Sequence, residues 1–368
     1  MASMSSGDLI SNKLPYEQWI PLAKRIVRQS LGLHWNDVLE IYSYIRTIPM
    51  AEALSVEARR AGSDTHITLM TDDLWFTSMR ELPLRWLEAP SQIEIAINKA
   101  ITAYIYLGGP ADARRMRDIP SEKFDANAIG NIRQDEPRHV RMVKHVDLPI
   151  GRVCMERAEA YSLDYESWQR SYQAALNVDL DEIRQSGNAW YRMLKGKRHL
   201  KVTSEVGTDL RFMTNPGKLM VDDGIISSKD LDHGFNETSL PAGKIVSTVI
   251  GDSVQGEICF TDRVFLMGRS VKGVHLRFEE GRLVEWDAKE NGELLNSILK
   301  KCMSERQQLG WFSIGLNPAA QPCMLDNSIV LNDFGIGFGP HPLLERSKVK
   351  SSAQFDATVG LVKVEIFN

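Results

Sequence analysis

The sequence predicts a two-part α/β protein. Residues 1–197 form an N-terminal doubly wound, mostly parallel α/β domain, and residues 198–368 a C-terminal antiparallel, β-rich α+β domain. Three observations carry this prediction. The chain has 368 residues, more than one core usually covers. Through the first half, short apolar strands alternate with amphipathic helices, the pattern of a parallel sheet covered by helices. Beyond about residue 197 the texture changes to short alternating strands broken by glycines, the pattern of an antiparallel meander.

Each element has its own signal. Trp19, Ile20, Leu22, Ala23, Ile26 and Val27 recur at helical spacing within 16–31. DVLEIYSYI (37–45) reads as a strand, 50–61 as a helix closed by Gly62, and THITLM (65–70) as a second strand. Helices follow near 73–82 and from about 91. ITAYIYLGG (101–109) reads as a buried strand, 121–146 as a helix and PIGRVCM (149–155) as another strand. Residues 166–196 carry two amphipathic helices bridging the halves, the second starting near Asp179. HLKVTSE, TDLRFMT, GKIVSTVI, GEICFT and RVFLMG then read as strands, with Asn215-Pro216-Gly217 as a break. GVHLRFEEGRLVEWDA is a hairpin whose tight turn is EEG at 279–281, and one helix is expected at about 288–303.

Composition narrows the function classes. Hydrophobic content of 43% and charged content of 25% are those of a globular protein. A net charge of −4 offers no basic face to nucleic acid. The opening MASMSSGDLISNKLP lacks the basic and apolar regions of a signal peptide, and no long apolar run suits a membrane. Cys154, Cys259, Cys302 and Cys323 are scattered without CxxC spacing, which suits reduced thiols. The expectation is a cytoplasmic protein whose partner is a small-molecule substrate. No GxGxxG follows the first strand, and neither GxSxG nor HExxH occurs.

The second half resembles the metallo-aminopeptidase family of aminopeptidase T and aminopeptidase S. The resemblance rests on KVTSEVGTDLRFMTNPG, ETSLPAGKIVSTVIGDSVQGEICF and VKGVHLRFEEGRLVEWDAKENGELL, followed in the family's order by LGWFSIGLNP, FGIGFGPHP and SSAQFDATV. It implies the two-domain fold, a homodimer, and a pair of divalent metals held by Glu, Glu, His, Tyr, His and Asp. Carried across residue by residue, those positions hold Lys244, Trp311, Gly335 or Ile336, His341, Gln354 and Asp356. Only the last matches. The chain is also similar to the 2,5-dihydroxypyridine dioxygenases, through GLNP at 315–318, but that branch's two histidines fall on Trp311 and Gln354.

An ammonium carries no lone pair and an indole offers no ligand, so no cofactor is expected. If zinc, manganese, cobalt or iron does bind, Asp356 and His341 are the residues left to hold it. The resemblance thus implies a divergent enzyme using acid–base chemistry on a small organic molecule, such as hydrolysis, cyclisation or isomerisation. A metal-dependent aminopeptidase with altered ligands and a non-catalytic binding protein are the alternatives. Lys244 would hold an anionic group, where the plainer reading is a solvated hairpin lysine. His341 would be an acid–base group titrating near neutrality, with Asp356 orienting it or taking a proton itself, where the plainer reading of His341 is a surface turn residue. Trp311 and Gln354 would contact substrate, although a tryptophan is more often packing. PRHVRMVKHV (137–146) reads as a solvated basic helix face, and DLDHGFNE (230–237) as a cleft loop.

Overall fold

The computed structural model describes residues 16–304, 308–322, 325–345 and 355–367. Helix α1 (Tyr16–Arg25) is extended by one wider turn to Ser30. The first sheet is built from β1 (Val38–Tyr44), β2 (Asp64–Met70), β3 (Ala103–Tyr106), β4 (Lys144–Asp147) and a later strand, residues 237–239. Every pairing in it is parallel, in the order β2-β1-β3-β4 with the later strand outermost. Between the strands run α2 (Ile48–Arg60), α3 (Asp72–Glu81), α4 (Leu84–Leu87), α5 (Gln92–Ala100) and α6 (Ser121–Val140). The chain runs from β1 out to β2 and then back across β1 to β3, which creates a switch point between β1 and β3. In such sheets ligands bind outside the carboxyl ends of the strands. Those ends are Tyr44, Met70, Tyr106, Asp147 and Ser239.

Beyond β4, α7 (Met155–Tyr161), α8 (Tyr165–Leu176) and α9 (Leu180–Leu194) lead to the second sheet. Asp164 and Asp179 cap the last two of these by accepting hydrogen bonds from Ser167 N and Asp181 N. The second sheet starts with β5 (His199–Thr203) and β6 (Asp209–Asp222). After α10 (Ser228–Asp232), the chain lends β7 (Glu237–Ser239) to the first sheet. It then returns through β8 (Lys244–Val249), β9 (Gln255–Cys259), the small ribbon β10 (Val264–Leu266) and β11 (Arg269–Val271), β12 (His275–Glu279) and β13 (Arg282–Asp287). Helix α11 (Gly292–Ser304) precedes β14 (Leu309–Gly315), β15 (Asp333–Phe338), β16 (Phe355–Leu361) and β17 (Lys363–Phe367). The pairings of this ten-stranded sheet are antiparallel, ordered β13-β12-β9-β6-β8-β14-β15-β16, with β5 between β6 and β17. One apolar core runs from Ala23 to Val359 through both sheets. Among the described residues, no helix is long and apolar enough to cross a membrane.

The mixed α/β architecture and most elements match the expectation, with four corrections. The helix expected over 121–146 ends at Val140, and Met142 then takes a left-handed backbone (φ 54°) before β4. That strand looks polar because its charged side chains find partners inside the protein. Lys144 Nζ donates to the Leu31 carbonyl (2.6 Å), and His145 Nδ1 lies 3.2 Å from Glu237. The stretch 149–155 is a turn of 3₁₀ helix entering α7, because Pro149 has no N–H for a ladder. Asn215-Pro216-Gly217 does not break β6, which absorbs the proline in a register shift between Thr214 and Leu219. The basic stretch at 137–146 is not simply a solvated face. Arg138 is buried, lies 4.0 Å over the Tyr104 ring and pairs with Asp135 at 2.9 Å.

One buried carboxyl pair ties the second sheet to its loops. Asp333 Oδ1 accepts from Phe334 N (2.7 Å) and Gly360 N (3.0 Å), and Asp262 Oδ2 accepts from Asn327 Nδ2 (2.6 Å). Burial, and then the Asp262 charge, push Asp333 well above the carboxylate range, so the pair shares a proton. A raised carboxyl contributes most to stability at low pH, and the contribution is lost as pH climbs above the ordinary carboxylate range. Asp333→Asn keeps the acceptor and supplies the missing hydrogen. Urea unfolding should find it about 2 kcal/mol more stable than wild type at pH 8 and no better at pH 4. A variant equally destabilised at both pH values would contradict the shared proton.

Candidate active site around Lys244

Strand alternation lines up one face of the second sheet. In the ladders, Asp222 opposes Lys244, Met220 opposes Val246, Val246 opposes Ser313, Ser313 opposes Gly335, and Trp311 and Asp356 both oppose Gly337. Because side chains two apart share a face, this set forms one floor. Lys244, Trp311, His341 and Asp356 line one cavity of about 310 Å³. Gln354 lies outside the described residues. Gly335 lies on this floor and has no side chain to offer, while Ile336 is fully buried in the core. The position of the family's first histidine therefore presents no ligand on either register.

Gly337 is what lets Trp311 lie flat on the floor, since a Cβ there would overlap the indole ring. The indole meets the His341 ring edge-on, with centroids 4.8 Å apart at 90°. His341 is buried in the turn after β15. Its Nδ1 accepts from Leu343 N (3.2 Å) and Leu344 N (3.3 Å), which leaves the ring proton on Nε2. Burial, then the Lys244 charge, lower its pKa to about 3. The expectation of an imidazole titrating near neutrality is therefore corrected: here it is a neutral Nε2–H donor.

Lys244 is surrounded by carboxylates. Burial alone would push its ammonium down, but Asp326, Asp222, Asp147 and Asp356 together outweigh it and hold the pKa above the usual lysine value. Asp222 accepts hydrogen bonds from Thr238 Oγ1 and from Ser239 N (3.1 Å), while burial raises its pKa. Asp147, at the carboxyl end of β4, is also raised by burial, and its Oδ1 has no hydrogen-bond partner among the described residues. Asp356 sits deep in the molecule with its side chain open to the cavity, so water tempers its shift. Burial raises its pKa and Asp326 adds to this, while Lys244 opposes it. A second hollow of about 350 Å³, lined by Asp147, Asp222, Glu237 and His341, adjoins the first through Lys244 and Asp356. Glu237, from the segment expected to be a cleft loop, does reach the cleft.

Asp147, Asp222 and Asp326 were not singled out in the sequence. A signal existed for Asp147, because the carboxyl end of a parallel strand is a binding position, but the helix expected there concealed it. Asp222 and Asp326 join the site through the register of β6 on β8 and the course of the 325–332 loop, which no local pattern announces.

Residues 174–319 match the sequence model of the thermophilic metalloprotease (M29) family. No curated protein matches the chain in sequence. Among solved structures, wild-type AmpT from Thermus thermophilus is 19% identical with a TM-score of 0.67, covering 95% of this chain and 94% of that one. The 2,5-dihydroxypyridine dioxygenase from Pseudomonas putida KT2440 is 11% identical with a TM-score of 0.60, covering 96% and 94%. The donors on this floor do not fit a pair of divalent metals. An ammonium stands among them, Trp311 offers no lone pair, and one nitrogen of His341 is already engaged by backbone. Among the described residues, no three His, Cys, Asp or Glu side chains gather as a metal-holding group. Residues 174–319 thus resemble the thermophilic metalloprotease (M29) family, within a fold shared with AmpT along nearly its whole length.

Proposed function

We propose that the cleft around Lys244 is the active site of an enzyme that works on a small organic molecule by acid–base chemistry, without the pair of metals that the resemblance implies. The observation that carries this reading is the cation at its centre: Lys244 stands in the cavity beside Asp356, Trp311 and His341, where the resemblance places metal ligands. A desolvated ammonium next to a neutral N–H donor suits a developing oxyanion. Asp356, raised by burial, suits proton transfer to or from the substrate. Trp311 supplies an apolar wall for a flat group. Hydrolysis, cyclisation and isomerisation can each use this combination, and a cavity of this size takes a small substrate.

Two measurements test the reading together. The purified chain, re-exposed to zinc, manganese and iron(II), should hold no stoichiometric metal that Asp356→Ala removes. In a screen of small esters, lactones and aminoacyl anilides with chelator present, any turnover found should fall at least about a hundredfold in both Lys244→Ala and Asp356→Asn. Turnover untouched by both substitutions would sink the proposal. Stoichiometric metal lost in Asp356→Ala, with chelator-sensitive anilide cleavage, would favour a metallo-aminopeptidase with altered ligands.

A further inference from the structure

A hollow of about 310 Å³ opens on the other side of Lys244, between the two sheets, and shares Lys244 and Asp326 with the site above. Its distinguishing content is a pair of arginines from the segment after β4. Arg157, on α7, is only 6% exposed; it donates to the Pro110 carbonyl, and its Nε has no partner among the described residues. Arg152 hydrogen-bonds Tyr106 and lies near Asp147. Neither arginine makes an ion pair among the described residues. Burial, and then the Arg152 charge, act against the Arg157 guanidinium, and its orphaned donor adds to the cost unless an anion joins it. Much of the remaining lining is aromatic. Trp168 and Tyr172 are buried in its wall, and Tyr161 meets Phe265 edge-on at 5.0 Å.

We infer that this hollow is a carboxylate-binding subsite, in which Arg152 and Arg157 hold the carboxylate of a small aromatic or apolar substrate whose other end reaches Lys244. The inference rests on reading the Lys244 cleft as the working site. The planar guanidinium matches a carboxylate two-to-two, and the aromatic walls suit an apolar body. Asp147 and Asp326 on the same rim disfavour a doubly charged group such as phosphate.

Titration calorimetry and Trp168 fluorescence on the full chain test it, with sodium benzoate as probe, benzamide as its uncharged analogue and inorganic phosphate as competitor. Benzoate should bind wild type, benzamide and phosphate should not, and Arg152→Gln and Arg157→Gln should each weaken benzoate roughly tenfold or more. Arg157→Lys, which keeps the charge and loses the fork, should fall between. Thermal melting identifies any variant that fails to fold, in which case Arg152→Gln decides. Absent benzoate binding, equal binding by folded arginine variants, or phosphate binding as tightly as benzoate would each overturn the subsite. The two readings fail separately. Benzoate binding that follows the arginines while Lys244→Ala keeps full turnover would leave the subsite without the proposed active site. Turnover lost in Lys244→Ala with benzoate indifferent to the arginines would do the reverse.

Discussion

Lys244→Met should lose about 3 kcal/mol of stability at pH 8 and markedly less at pH 5. Methionine keeps most of the apolar stem, one atom shorter, and removes the ammonium with its charge and donors. Asp326, Asp222, Asp147 and Asp356 all act on that ammonium, and without it they face one another in a cleft of restricted water. Asp222, Asp147 and Asp356, already raised by burial, then lose the cation that opposed that rise. Carboxyls with raised folded-state pKa values stabilise the fold at low pH and withdraw that support as pH rises. The loss is set at the low end of a broken buried pair because Asp326 and Asp356 are open to the cavity, where water screens them. Urea unfolding at the two pH values measures it. A pH-independent loss would mean that the lysine contributes packing alone. A variant as stable as wild type at pH 8 would mean the carboxylates need no cation, and the central role of Lys244 would fall with it.

Gly315→Ala should cost about 3 kcal/mol or more and disturb the site from behind. Gly315 ends β14 directly opposite Lys244 in the β8 ladder. A Cβ there would collide with the Val330 carbonyl oxygen and come within 2.7 Å of its carbon and 2.8 Å of the Ile329 carbonyl carbon. No rotamer relieves a clash between Cβ and backbone, so the 329–330 segment has to move. That segment continues the loop carrying Asp326 and packs Ile329 and Val330 into the core. Thermal unfolding should show a large drop in midpoint. A wild-type midpoint would show that this loop yields freely and is a poor support for Asp326.

Much of this site was readable in the strand alternation around a few motifs. GKIVSTVI, LGWFSIG and SSAQFDATV each place residues of one parity on one face. Once Lys244, Trp311 and Asp356 were matched to positions in a family pattern, a common cavity followed from a period of two. The parallel sheet was readable for the same reason, since its helices and apolar strands repeat regular signatures. Failures came where charge masked structure. KHVD looked like the end of a basic helix because Lys144 and His145 find partners only after folding, in the Leu31 carbonyl and Glu237.

Protonation states lay beyond any local pattern. His341 sits in a Pro-His-Pro turn that says nothing of its environment, yet burial and then the nearby ammonium make it neutral, while two backbone N–H groups hold its Nδ1. Lys244 stays charged because Asp147 comes from one sheet, Asp222 and Asp356 from the other, and Asp326 from a loop between strands. Residue types and periodicity already name most elements and the faces, and the family resemblance names four of the side chains in the cleft. The chemistry those side chains can perform is settled by which distant segments meet there, because a pKa depends on burial and on neighbouring charge in space, and neither is ordered along the chain.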